Sequence, residues 1–296
     1  MAPNVAVPVV VAPNRGIVRR GRRILLADPL ALASLAVIGV LFLLAIGGPL
    51  LAPYPDQGQG ASHVATRMLP PGPANLFGTD EFGRDLLSRI IVGARSALIV
   101  ALLVVGLAMA IGVPLGAIAG YRRGRIDGLI MRTTDLFLAF PPLLLAMAIV
   151  AALGPGLDHA ALALAVSWWP WYARLARGTA ASLRERPFVE AARAAGMTDA
   201  AILTRHIVPN ALAPILVQAT IDLGTVILAA GGLAFLGLGA SPPAPDWGLM
   251  VAQGRAFILD QWWLSTFPGL AIFVSVLAFN LVGDTLLDLL DPRRRS

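Results

Sequence analysis

The stretch GTDEFGRD, residues 78–85, places several carboxyl groups side by side. Paired carboxylates can act as general acid and general base in catalysis. The sequence supplies no nucleophile or metal-ligand set beside them, and the chain has no cysteine. Its three histidines lie far apart in the sequence, at His63, His159 and His206. The pattern therefore favours a structural helix before a membrane span, or a surface that docks an external protein.

A conventional ATP-binding loop is excluded by composition. All basic residues are arginine, and lysine does not occur in the 296 residues. The phosphate-binding loop of an ATPase ends in Gly-Lys-Ser or Gly-Lys-Thr, whose lysine reaches the nucleotide phosphates. If ATP drives this protein, another polypeptide binds the ATP.

Polar side chains inside apolar runs are the other candidates for function. Asp222 lies well inside one such run, where an acidic group costs about 2.5–3.5 kcal/mol on insertion scales. It is expected to line a pore and meet a substrate amine or a cation, or to be a buried partner for a neighbouring helix. Asn280 is a second candidate for a translocation path, although helix–helix hydrogen bonding would also explain it. Asp135 is expected to pair with Arg132, one helical turn earlier.

The elements that must position these residues are membrane helices. Only 14% of the residues are charged and 57% are hydrophobic, whereas soluble domains carry about 25% charged residues. Since a bilayer-spanning helix needs about 20 apolar residues, the sequence predicts an all-α integral membrane protein with six transmembrane helices. The predicted spans are residues 30–52, 96–121, 136–157, 160–173, 212–238 and 261–283, of which the fourth is short.

The arginines predict the orientation. With the N-terminus inside, most of the 23 arginines fall in cytoplasmic segments, as the positive-inside rule expects. Both termini are then cytoplasmic. The net charge of +6 is better explained by this topology than by nucleic-acid binding, so no nucleic-acid partner is expected.

The stretch VEAARAAGMTDAAILTRHIVPN, residues 189–210, is predicted to be a cytoplasmic helix–turn–helix bracket between the fourth and fifth spans. Pro187 suits a first helical turn, and Gly196 can take the left-handed conformation that ends a helix. Thr198 is expected to cap a second short helix. Pro209 is expected to stop that helix and redirect the chain toward the fifth span.

These residues resemble the EAA loop of ABC importer permeases, in which Glu-Ala-Ala is followed by Gly and, further on, by Ile-x-Leu-Pro. The residues on the pattern are Glu190, Ala191, Ala192, Gly196, His206, Val208 and Pro209, with His206 at the isoleucine position and Val208 at the leucine position. The segments FGTDEFGRDLLSRIIVGAR, FLGLGASPPAPDWG and FPGLAIFVSVLAFNLVGDTLLDLLDPR extend the resemblance to the C-type permease subunit of dipeptide, oligopeptide and nickel importers.

This resemblance implies a type I ABC importer permease fold in a bacterial inner membrane. It implies that the EAA loop is the coupling element that fits a groove on a cytoplasmic ATPase, and that this subunit is not itself an enzyme. It implies four kinds of partner besides the lipid bilayer: a second permease, two ATPase chains that carry ATP and Mg²⁺, and an external solute-binding protein. The candidate docking residues for the solute-binding protein are Arg84, Asp85, Asp246 and Trp247. No cofactor or metal is expected on this chain.

The resulting domain scheme has four parts. Residues 1–27 are a cytoplasmic tail, and 28–93 are the first span with an external loop. Residues 94–291 are a five-helix core that contains the EAA loop at 184–211, and 292–296 are a basic tail.

The predicted function is that of a peptide importer permease forming half of a translocation pore, with dipeptides or oligopeptides as cargo. The same architecture importing nickel or another small solute is an alternative. An ion-coupled secondary transporter is a second alternative, against which stands the lack of a visible internal repeat.

Overall fold

Apolar runs of the sequence form long helices, which are joined by turns, short helices and two longer loops. The computed structural model describes residues 28–290, so the two predicted tails lie outside that range. No β-strand occurs among the described residues, where Thr79 and Asp85 form one isolated antiparallel bridge. The helices are α1 (Pro29–Leu51), α2 (Pro55–Gln59), α3 (Leu86–Arg122), α4 (Gly124–Leu138), α5 (Pro142–Leu153), α6 (Leu157–Arg184), α7 (Pro187–Ala194), α8 (Asp199–Ile202), α9 (Val208–Phe235), α10 (Trp247–Gly254) and α11 (Trp263–Leu290).

The apolar helices confirm the prediction of an all-α membrane protein. By length and composition, four helical segments of the described chain can cross a membrane: α1, α3, the segment Asp199–Phe235 that ends in α9, and α11. The bent pair of α4 and α5 makes a fifth if it is counted as one span. Helix α6 is 28 residues long but carries Arg174, Arg177 and Arg184. The count of six and the cytoplasmic placement of the termini stay predictions.

The predicted third span, residues 136–157, is wrong as a single continuous helix. Helix α4 ends at Leu138, α5 begins at Pro142, and the two bend by 83°. The cause is local, since Pro141 and Pro142 lack backbone N–H groups and disfavour helical conformation in the residue before each of them. Helix α5 alone has 12 residues, which is about half the length that a bilayer requires.

The predicted second span begins earlier than expected. A structural helix before this span was expected from residues 78–85, but α3 runs unbroken from Leu86 to Arg122. Its N-cap is Asp85, whose carboxylate accepts a hydrogen bond from the Ser88 N–H at 2.8 Å. Asp80 instead binds the side chain of Arg84 in the preceding turn.

Helices α3 and α6 approach each other through three glycines spaced four residues apart. A Cβ atom at Gly112, Gly116 or Gly120 would collide with a backbone carbonyl oxygen of α6. Small residues at this spacing let helix backbones pack closely within a membrane. This contact joins the two long helices of the described core, and it was not predicted although the glycine spacing is visible in the sequence.

Replacing Gly116 with isoleucine should therefore separate α3 from α6. We expect Gly116→Ile to lower the free energy of unfolding by about 1–3 kcal/mol, because the branched side chain would overlap the Ala173 backbone. Thermal unfolding of the detergent-solubilised chain measures this. The matched control is Gly106→Ile in the same helix, where no heavy atom lies within 4 Å of an added Cβ. Equal unfolding temperatures for the two variants would contradict the packing role.

Candidate functional site

The predicted bracket between α6 and α9 is present, and its local signals act as expected. Pro187 lies in the first turn of α7, and Gly196 adopts a left-handed φ of +79° just after that helix ends. Thr198 caps α8 by accepting a hydrogen bond from the Ala201 N–H at 3.3 Å. Three of the local predictions for this segment are thus confirmed.

The predicted role of Pro209 is wrong. The helix does not end before Pro209. It continues from α8 through a π-helical turn, Leu203–Ile207, into α9, and Pro209 lies in the first turn of α9. A proline is tolerated in a first turn because its missing N–H would have no partner there. The wider π-helical turn before it interrupts the regular α-helical pattern just where the proline ring would otherwise clash.

The outward face of the bracket consists of small and charged residues. Glu190, Ala191, Gly196 and Pro209 are exposed, whereas His206 and Val208 are partly buried. Ala192 was predicted to contact a partner, but only 8% of its surface is exposed. A helix turns about 100° per residue, which places Ala192 nearly opposite Glu190 and about a quarter turn from Ala191.

The inward face of the bracket packs against the ends of two long helices. Val189, Ala192, Ile202 and Ile207 form an apolar cluster with Ala117, Tyr121 and Ala180. Phe188 and Leu203 are partly buried and pack against its rim. Because α3 and α6 both contribute to this cluster, the bracket is in contact with both helices.

Tyr121 adds a polar contact to this apolar cluster. Its buried hydroxyl donates a hydrogen bond to the Asp199 carboxylate at 2.7 Å. The guanidinium of Arg184 lies over the same ring, 5.9 Å from its centre, within the range of a cation–π contact. Sequence reasoning missed this residue, because nothing within the local sequence links Tyr121 to a carboxylate 78 positions away.

Removing that hydroxyl should loosen the bracket without unfolding the chain. In Tyr121→Phe we expect amides of α7 and α8 to exchange with deuterium about fivefold faster, since a hydrogen bond of this kind contributes roughly 1 kcal/mol. Hydrogen exchange read by mass spectrometry measures this. The control is Tyr54→Phe, which removes a hydroxyl bound to the Ala74 carbonyl in the loop at the opposite end of α3. Unchanged bracket exchange in Tyr121→Phe would show that the apolar cluster alone holds it.

Arginines surround the bracket. A cleft of about 860 Å³ lies beside Tyr121 and is lined by Arg122, Arg123, Arg125, Arg184 and Arg193. Arg123 forms an ion pair with Glu185 across the two helix ends. This end of the molecule is the one that the arginine distribution assigned to the cytoplasm.

The candidate translocation residue Asp222 is buried in the described structure. Only 7% of its surface is exposed, and its Oδ1 accepts a hydrogen bond from the Gln218 side chain at 3.1 Å. The phenol of Tyr172 and the indole of Trp168 face the same carboxyl group from α6. Asp222 also lines a cleft of about 680 Å³ between α6 and α9.

The other two polar candidates lie elsewhere or have unexpected partners. Asn280 donates a hydrogen bond to the Val276 carbonyl of its own helix and does not line the Asp222 cleft. Asp135 pairs with Arg174 of α6 at 2.7 Å and not with Arg132, so that prediction is wrong. The tertiary approach of α4 to α6 supplies the partner that the local sequence did not indicate.

The residues predicted to dock an external protein are mostly internal. Arg84, Asp85 and Trp247 expose 2%, 1% and 4% of their surfaces, so their side chains cannot form a docking surface in this structure. Asp85 caps α3, and the Trp247 indole donates to the Ile90 carbonyl at 3.0 Å. Asp246 is partly buried at the start of α10, where it accepts from the Leu249 N–H, and this burial raises the pKa of its carboxyl group.

A buried cluster of charged residues, Asp80, Arg84 and Arg89, clamps two loops together. Asp80 binds Arg84 Nε at 2.6 Å and lies 3.5 Å from Arg89 Nε. Arg89 also donates to the carbonyl oxygens of Pro243 and Ala244, 3.2 and 3.1 Å away. The acidic stretch at residues 78–85 is therefore a structural contact that joins the loop before α3 to the loop before α10, and it is not the helix that the sequence favoured.

Comparison with known proteins gives matches over nearly the whole chain. Residues 112–296 match the family described as binding-protein-dependent transport system inner membrane component, and residues 18–71 match the N-terminal TM domain of oligopeptide transport permease C.

Individual relatives are similar over most of their length. The probable D,D-dipeptide transport system permease protein of Escherichia coli is 45% identical over 90% of this chain and 88% of its own. The dipeptide transport system permease protein of Alkalihalophilus pseudofirmus is 46% identical over 91% and 88%. The glutathione transport system permease protein of an Escherichia coli strain is 41% identical over 93% and 89%.

A solved structure has a similar fold. The MetNI methionine ABC transporter in an inward-facing conformation gives a TM-score of 0.57 at 21% identity, over 70% of this chain and 98% of the matched one. At that identity the likeness concerns the fold alone.

Proposed function

Because the chain belongs to the family of binding-protein-dependent transport system inner membrane components, we propose that it is a permease subunit of an ATP-driven peptide importer and forms half of its pore. It is a multi-pass inner-membrane protein with several helices long enough to cross the bilayer. The observation that carries the proposal is the bracket, a small exposed helical elbow seated on the ends of α3 and α6.

The bracket acts as the coupling element in this proposal. Its exposed residues Glu190, Ala191 and Gly196 offer a small surface that another protein's backbone can approach closely. Its apolar inward face would carry the movement of an ATPase to the long helices, because packed interiors deform little. His206 and Val208 lie at the edge of this surface, and the exposed Pro209 lies at its end.

In this proposal ATP is bound and hydrolysed by other chains. This sequence has no lysine and hence no conventional phosphate-binding loop, so ATP and Mg²⁺ bind to two partner ATPase subunits and this subunit is not catalytic. A second permease completes the pore. An external solute-binding protein delivers cargo to the loops before α3 and α10. Exposed residues beside the buried clamp would form the surface that contacts this protein.

Peptides are the best-supported cargo. The relatives named above are described as permeases for D,D-dipeptides, dipeptides and glutathione. All three cargoes carry a free amino terminus and a carboxylate, which is the chemistry that the pore would have to accept.

Reconstitution tests the proposal. The two permeases, the ATPase chains and the solute-binding protein are placed in liposomes, and ATP hydrolysis is measured with and without dipeptide. We expect peptide to stimulate hydrolysis and to accumulate on the ATPase side. Accumulation by this chain alone, driven by a proton or sodium gradient without ATP, would contradict the proposal and indicate a secondary transporter.

A further inference from the structure

The cleft between α6 and α9 has the composition of a site for a small organic cation. Its walls include the aromatic rings of Trp168 and Trp171, and its polar lining includes Gln218, Asp222 and Thr225. Trp171 is half exposed, whereas Trp168 and Asp222 are buried. The cleft therefore leads from an accessible aromatic surface to a buried carboxyl group.

The carboxyl group of Asp222 is incompletely satisfied. Gln218 supplies one hydrogen bond to Oδ1, but Oδ2 is buried and has no donor in hydrogen-bonding geometry, although the Tyr172 phenol faces it. The Tyr172 hydroxyl is likewise buried and makes no hydrogen bond among the described residues. Two unsatisfied buried polar atoms, one of them on Asp222 in the wall of the cleft, are costly unless a ligand or a movement completes them.

Charge selects the kind of ligand. Two charged side chains line the cleft, Arg174 and Asp222. Arg174 is already paired with Asp135 at 2.7 Å, so the carboxylate is the charge that remains to be compensated. An anionic group would be repelled by it, whereas a cation would be attracted both by the carboxylate and by the faces of the indole rings.

The geometry favours an ammonium group over a metal ion. Metal ions such as Ca²⁺ or Mg²⁺ require about six or more oxygen ligands, and the described lining offers only Asp222, Gln218 and Thr225 as side-chain oxygen donors. An ammonium group has three N–H donors. One can bind Asp222 Oδ2, and the others can bind neighbouring acceptors such as the Tyr172 hydroxyl.

We propose that the α6–α9 cleft binds the terminal ammonium group of a peptide during passage, with Asp222 Oδ2 as its main acceptor and the two tryptophans as its walls. This inference rests on the proposed function, because the cleft must then belong to the pore. It gives the pore its own preference for a free amino terminus, separate from any selection by the solute-binding protein.

The test measures peptide binding to the assembled complex of both permeases and the ATPases, in nanodiscs and without the solute-binding protein. The probes are alanyl-alanine and its N-acetylated form. We expect the free dipeptide to bind about tenfold or more tightly than the acetylated one, as the loss of a charge-assisted hydrogen bond implies. Asp222→Asn should reduce this preference to near unity. The matched control, Asp158→Asn, removes an exposed carboxylate at the start of α6, outside the cleft, and should keep the preference.

The outcomes separate the two proposals. Equal binding of both dipeptides by the wild-type complex overturns the ammonium site even if Asp222→Asn proves unstable, and so does an Asp222→Asn complex that keeps the preference. ATP-driven dipeptide uptake by the same complex, reconstituted in liposomes with the solute-binding protein, would leave the proposed function standing in either case. Failure of the wild-type complex to assemble with ATPases or to move any peptide contradicts the proposed function itself, and the ammonium site with it.

Discussion

Gly196→Asp is expected to detach the ATPase from this permease while leaving the permease inserted and folded. Gly196 is exposed at a φ of +79°, and no heavy atom lies within 4 Å of an added Cβ. Aspartate tolerates the left-handed region better than most residues, so the fold should survive. The new side chain places bulk and negative charge at the centre of the proposed contact surface. We expect affinity for the ATPase to fall roughly 30-fold or more, as for a central interface residue.

Co-purification of the ATPase with the tagged permease, followed by peptide uptake in liposomes, measures the effect. The control is Gly124→Asp, at another exposed glycine with positive φ, +66°, and free space around it, which lies at the start of α4 outside the bracket. Gly196→Asn adds similar bulk without the negative charge. Its affinity for the ATPase should lie between those of the wild type and Gly196→Asp. Normal ATPase binding and uptake in Gly196→Asp would show that the bracket is not the coupling element.

Asp80→Ala is expected to prevent stable folding. Asp80 is the carboxylate between two buried arginines, Arg84 and Arg89, which expose 2% and 1% of their surfaces. It also accepts hydrogen bonds from the backbone N–H groups of Phe82 and Arg84. Removing it leaves two buried positive charges without their counter-ion, which costs about 3–5 kcal/mol. That is a large part of the 5–15 kcal/mol by which proteins are typically stable.

The yield of monodisperse protein in detergent and its unfolding temperature measure this loss. The matched control is Glu185→Ala, which breaks the exposed ion pair with Arg123 and should cost less than about 1 kcal/mol. Asp80→Asn keeps the shape and some hydrogen bonds, so we expect it to fall between the two. If Asp80→Ala unfolds at the wild-type temperature, the two loops are held by other contacts.

The bracket was predictable because its signals are local. Pro187, Gly196 and Thr198 each act on the backbone within a few residues, through a fixed φ, a permitted left-handed conformation and a helix cap. The break at Pro141–Pro142 was equally local, and the prediction of a continuous third span missed it. Pro209 shows the limit of such signals, since a proline that can stop a helix can also begin one.

Side-chain burial was not predictable in the same way. Arg84, Asp85 and Trp247 were expected at the surface because charged and amphipathic residues usually lie there, yet contacts between loops far apart in sequence bury them. Ala192 faces inward for a similar reason, because α3 and α6 supply the surface that it covers.

The sequence by itself determined that this chain lies in a membrane, that it has no conventional phosphate-binding loop, and that a helical bracket lies between two of its later spans. Transfer free energies, residue composition and backbone preferences act on short segments and need no knowledge of the fold. The tertiary structure alone decided which partners Asp135, Tyr121 and Asp222 have and which side of the bracket faces the core. Those facts depend on the approach of α3, α4, α6 and α9, and such approaches join residues that have no local relation in the chain.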